Sequence, residues 1–210
     1  MKIFYFGEDH LTPNLALQIA NNKITCEIGK RAKVNIQESR KNTLDIAHSE
    51  RTVYGINTGF GPLCDTRISK EQIKLLQENI LKSHSVGVGP IVPDLIAKLM
   101  LITKVHALSM GYSGISLEVL ERIVFFIHHE IIPEVPSQGS VGASGDLAPL
   151  AHLFLPIIGL GKVKINGEIM SAAKMHTLHD LAPLPLGAKE GLALINGTQF
   201  ILSYAVLGLS

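Results

Sequence analysis

The chain has 210 residues, 46% of them hydrophobic and 18% charged, which is ample for a packed core and far too apolar for a disordered segment. Lys and Arg number 19 against 18 Asp and Glu, a formal net charge of +1, so no strong field gathers phosphate backbones or anionic lipid. Neither nucleic acid nor a membrane surface is expected as a partner.

Lys2 to Phe6 reads as a possible strand and turns polar at Glu8, Asp9 and His10, without the apolar run and cleavage site of a signal peptide. No stretch approaches the ~20 uninterrupted apolar residues of a membrane span. Cys26 and Cys64 are too few for a disulfide framework or a zinc site, so both are read as ordinary buried thiols and the location as cytoplasmic.

Helical periodicity dominates after Ile68. Ser69 followed by Gln72 is a capping box, and Ile73, Leu76, Ile80 and Leu81 recur on one face, predicting a helix over about 70–83. Pro93 suits a first helical position, and Leu95, Leu99, Ile102 and Val105 lead to Gly111 beyond the helix end. Ser116 opens a third helix through Leu120, Ile123, Ile127 and Ile131, stopped by Pro133. Both are apolar enough to be buried in a bundle. Val163 to Ile165, the turn Asn166-Gly167, and Glu168 to Met170 form one surface hairpin. From Lys189 the chain reads as one long apolar helix that reaches Ser210 without a cap, which looks like a truncation. The expected class is mainly α: a helical bundle with a small N-terminal α/β-rich region, residues 1–210 being part of one domain.

The segment from Gln138 to His152, QGSVGASGDLAPLAH, places four small residues before a helix start. It fits neither phosphate-binding glycine loop. It misses the G-x-S-x-G elbow by one residue, and no strand is expected before it. A tight bend at Ala143-Ser144-Gly145 offers other chemistry, because alanine and glycine leave room for a backbone nitrogen to reach a carbonyl two residues earlier. Attack of the Gly145 nitrogen on the Ala143 carbonyl carbon with loss of water closes a five-membered ring. Loss of a second water from Ser144 leaves an exocyclic methylene, a strong electrophile. The positive end of the helix starting near Leu147 would favour negative charge on the ring oxygen.

These residues resemble the signature of the aromatic amino acid ammonia-lyases, and within that family the branch acting on histidine. Three further segments are similar to family motifs: Val53 to Gly61 around Tyr54, Gln77 to Gly89 around His84, and Lys189 to Gln199 around Asn196. The resemblance implies the N-terminal part of the fumarase/aspartase-like ammonia-lyase fold, a homotetramer when full length, and a 4-methylidene-imidazol-5-one group (MIO) formed from Ala143, Ser144 and Gly145, with Asp146 involved in the cyclisation. It implies Tyr54 as the base, a role that asks for a lowered phenol pKa. His84 would meet the substrate ring and Asn196 the prosthetic group or the substrate carboxylate. His152 matches the signature without an assigned role. The implied reaction is elimination of ammonia from L-histidine to give urocanate, with a tyrosine or phenylalanine lyase, an aminomutase, or a non-catalytic fragment as alternatives; the isolated chain is expected to be inactive. No metal is expected, since His128-His129-Glu130 lacks the H-E-x-x-H order and His176 with His179 supplies only two ligands.

Overall fold

The computed structural model describes residues 3–59, 68–141 and 145–209. Of the expected features, Cys64, Ala143 and Ser144 lie outside these residues.

The N-terminal region is a βαβ unit. Strand β1 (Ile3–Phe6) buries Phe4 and Phe6 and pairs in parallel with β2 (Thr25–Ile28), which buries Cys26 and Ile28. Helix α1 (Pro13–Ala20) makes the crossover, capped by Thr12 and opened by a proline at its first position. Helix α2 (Lys30–His48) follows. Its buried residues are Ala32, Ile36, Thr43 and Ala47, a stripe too narrow and too small-chained to give a clear apolar period in the sequence.

Helix α3 (Lys70–His84) carries the expected capping box, with both Ser69 and Gln72 engaged. Strand β3 (Val88–Ile91) leads to α4 (Asp94–Leu108), which is buried on almost every side. Pro93 caps α4 rather than forming its first turn. Helix α5 (Leu117–His128) starts at Ser116 as expected but ends before Ile131. Glu130 adopts φ 52° there, and its carboxylate takes both the Asn22 amide and the buried Lys98 ammonium. The chain then turns into β4 (Ile132–Pro133), so Pro133 lies in a strand instead of stopping a helix.

Strand β5 (Pro136–Gln138) pairs antiparallel with β3, correcting the expectation that no strand precedes the small-residue segment. Helix α6 (Leu147–Phe154) continues into a short 3-10 turn. The hairpin β6 (Lys162–Ile165) and β7 (Glu168–Ser171) turns at Asn166 and Gly167, both left-handed, and β4 joins it as a third strand. Helix α7 (Ala172–Leu178) closes that lobe.

The final apolar stretch is two helices, α8 (Glu190–Ile195) and α9 (Gln199–Gly208), separated at Asn196-Gly197-Thr198. By length and composition Glu190–Gly208 could cross a membrane, contrary to the expectation from sequence. It is broken in the middle, and α9 packs one side on α4 and α1 while Ile201, Leu202, Tyr204 and Leu207 stay exposed. One hydrophobic cluster runs from Phe4 to Val206, and a smaller one gathers Ala47, Ile56, Ile73 and Ala188.

Candidate active site

Helices α3, α6 and α8 pack against one another. Gly191 of α8 lies so near the Gln77 carbonyl of α3 that a Cβ there would collide with it, and the α8 backbone accordingly donates from Leu192 to the Gln77 side chain at 3.3 Å.

Asp146 is the hub. It is fully buried at the start of α6, yet its side chain makes no cap to that helix. Oδ2 instead accepts from the backbone of Phe200 at 2.9 Å and of Ile201 at 3.1 Å, in the first turn of α9. Oδ1 accepts from the Ser140 hydroxyl at 2.8 Å. Its own amide donates to the Gly197 carbonyl at 2.7 Å. A carboxylate at the open amides of a helix is electrostatically favourable, which explains how this charge tolerates burial.

Gly145 is buried with φ +115°, and a Cβ on it would stand 2.5 Å from the Gly197 carbonyl oxygen. Only glycine meets both conditions. The third residue of the tripeptide is thus pressed against the break that presents Asn196. That cradle suits the group the tripeptide is expected to form, because the position that must bend has neither a side chain nor space for one.

Asn196 is exposed, with φ −83° and ψ 115°, outside the continuous helix in which the sequence placed it. Its carbonyl accepts a 2.7 Å hydrogen bond from the Lys104 ammonium of α4. Burial pulls the Lys104 pKa down to about 7.

His84 is the last residue of α3, and its Nδ1 lies 2.9 Å from the Ile80 carbonyl. A carbonyl can only accept, so that contact calls for a proton on Nδ1, and the Ser83 hydroxyl stands 3.1 Å from the same nitrogen. Just beyond, the Gly87 amide donates to Nε2 of His152 on α6 at 3.0 Å. Burial lowers the His152 pKa, in keeping with a neutral ring offering a lone pair. Gly139 packs its Cα position against Gly87, so the chain after His84 and the chain entering the small-residue segment run in contact.

Tyr54 reaches the structure by another route. Its loop is closed by Asn57, whose amide donates to the Arg51 carbonyl at 2.8 Å and whose oxygen accepts from Val53 at 2.8 Å; Gly55 there has φ 73°. Tyr54 is 55% exposed, while neighbouring Ile56 anchors the loop to Ile73 of α3.

The structure therefore brings Gly145 and Asp146 against Gly197, the neighbour of Asn196, ties the His84 segment to α6, and carries Tyr54 on a separate clamped loop. Reasoning from sequence missed Asn57, Lys104 and the anchoring role of His152. Lys104 left one signal, a cation within the apolar run of α4, shared with Lys98 on the same helix. A cavity of about 520 Å³ is lined by Asn35, Thr43, Tyr112 and Lys189 among others, and by none of the four candidate residues Tyr54, His84, Asp146 and Asn196. Among the described residues no group of three His, Cys, Asp or Glu could hold a metal. His128 and His176 bond the Cys26 and Pro156 carbonyls, and burial pushes the Cys26 thiol up to about 12.

Residues 11–210 match the sequence model of one family, Aromatic amino acid lyase. The chain belongs to the aromatic amino acid lyase family. It is 45% identical over 192 residues to a histidine ammonia-lyase of Shewanella oneidensis, covering 91% of this chain and 37% of that relative. The structure of histidine ammonia-lyase from Trypanosoma cruzi superimposes with a TM-score of 0.90 at 36% identity, covering 100% of this chain and 40% of that one. The ergothionase of Treponema denticola, an ergothioneine-degrading enzyme, gives 0.94 at 28% identity over 99% of this chain and 42% of its own. The chain thus has the helical fold of the aromatic amino acid lyases and spans well under half the length of these relatives. Family members are carbon-nitrogen lyases that in general depend on MIO.

Proposed function

We propose that the complete protein is a histidine ammonia-lyase, eliminating ammonia from L-histidine to give urocanate, and that it works as a cytoplasmic homotetramer. The observation that carries the site is the double hold of Asp146, which joins Gly145 to the helix break at Asn196 through its amide and its carboxylate. The 45% identity to a histidine ammonia-lyase supports the choice of substrate.

In this reading Ala143, Ser144 and Gly145 form MIO, which when present supplies an electrophilic carbon that makes the substrate amine a better leaving group. Asp146 holds the Gly145 end of that tripeptide against Gly197. Asn196 offers its amide to the substrate carboxylate or to the prosthetic group. His84, with its proton on Nδ1, presents Nε2 to an imidazole N–H, a contact a bare phenyl ring cannot return. Tyr54 removes the β proton from its exposed loop, which depends on positive charge or hydrogen bonds lowering its phenol pKa in the assembled site.

The test is incubation of the complete protein with L-histidine and, separately, L-tyrosine. Urocanate is expected. Coumarate without urocanate contradicts the substrate assignment, and a β-amino acid product identifies an aminomutase. Residues 1–210 alone are expected to turn over neither substrate.

A further inference from the structure

The break between α8 and α9 interrupts several rungs of the helical ladder, two of them those of Phe200 and Ile201. In a continuous helix the Asn196 carbonyl would accept from Phe200 and the Gly197 carbonyl from Ile201. Here each of these four groups has a new partner. Asp146 takes the Phe200 and Ile201 amides with its carboxylate and the Gly197 carbonyl with its amide. The Asn196 carbonyl is taken by Lys104, which reaches it from α4 with a side chain only 1% exposed.

A lysine is a costly donor at that place. A buried ammonium loses its hydration, and burial alone lowers its pKa to about 7. A freed carbonyl next to an exposed residue can be satisfied by water at little cost, so capping by itself does not call for a cation drawn from the core. What the lysine adds is competition. It occupies the acceptor that would otherwise recapture the Phe200 amide and restore the helix through Asn196.

We propose that Lys104 is a positioning residue for Asn196: by holding the Asn196 carbonyl away from the Phe200 amide, it keeps the helix open there and fixes where the Asn196 side chain stands. This rests on Asn196 being a site residue, as proposed above. Lys104 touches neither substrate nor prosthetic group and acts through Asn196 alone.

The test uses the complete protein. Lys104→Met removes the donor at similar length, and Lys104→Arg keeps a cationic donor. K104M is expected to form the dehydrated tripeptide, seen by intact mass, yet to lose at least about tenfold in kcat/KM, as small misplacements of a catalytic group do; K104R recovers the greater part. On an Asn196→Ala background K104M costs nothing further, because both changes remove one function. Amide exchange at Phe200 slows in K104M as the ladder closes through Asn196, while Leu120 of α5 is unchanged. Undiminished kcat/KM in K104M, losses that multiply independently with N196A, or a K104R no better than K104M would each overturn the proposal. If K104M does not fold, Lys104→Gln serves in its place, and failure of both to fold beside a fully active K104R also overturns it, since the lysine would then serve folding alone. Histidine turnover by the unmutated protein separates the two readings: without it the proposed reaction fails, whereas turnover with an unaffected K104M removes only the role of Lys104.

Discussion

Helix α5 and the stretch Glu190–Gly208 are both strongly apolar, yet the chain treats them differently. In α5 the ladder is continuous from its cap at Ser116, whose hydroxyl accepts from Val119 within the same turn. In Glu190–Gly208 the ladder is interrupted, and the freed groups find partners distant in sequence, Lys104 by 92 residues and Asp146 by 54 and 55. A helix that closes its own bonds does structural work. One that is opened by residues from elsewhere offers exposed backbone and a polar side chain where a site can form.

Removing the strongest external hold breaks this contrast most severely. Asp146→Ala leaves two half-buried amides and the Ser140 hydroxyl without their acceptor, and is expected to destabilise the protein by about 2–4 kcal/mol in urea unfolding while α5 stays protected from exchange. Gly145→Ala is next, at about 2–3 kcal/mol, because the added methyl meets the Gly197 carbonyl in a backbone conformation alanine avoids. Lys104 sharpens the contrast through pH. Its folded pKa of about 7 lies below the ordinary 10.5, so the unfolded chain binds more protons between those values and stability rises with pH across that window. Relative to K104M, the unmutated protein is expected to gain about 2 kcal/mol from pH 7 to 9. His152→Leu removes the acceptor for the Gly87 amide and costs about 1–2 kcal/mol, with a raised KM as the His84 segment loosens. Ser116→Ala, on the self-sufficient helix, costs about 1 kcal/mol by calorimetry and leaves turnover unchanged.

The same division governs what the sequence discloses. The capping box at Ser69 and Gln72, the cap at Ser116 and the Asn166-Gly167 turn are local devices, and each stands where the pattern places it. Helix α2 was illegible because alanine and threonine fill much of its buried stripe. The end of α5 was misplaced because a tertiary bond from Lys98, not Pro133, turns the chain at Glu130. At the site, the small residues around Gly145 and the carboxylate of Asp146 were visible as a motif. The interruption at Asn196 was not, since Ile195 and Phe200 continue the apolar pattern across it and only distant partners decide that it opens. Gly197 was its one local sign.

The most direct test is the mass of the peptide spanning Ala143, Ser144 and Gly145, taken from the complete protein and from its Asp146→Ala variant. The unmutated peptide should be lighter by two waters and the variant peptide should not. Equal loss of two waters in both, with histidine turnover intact, would contradict the claim that Asp146 binds this tripeptide to the broken helix as a working site.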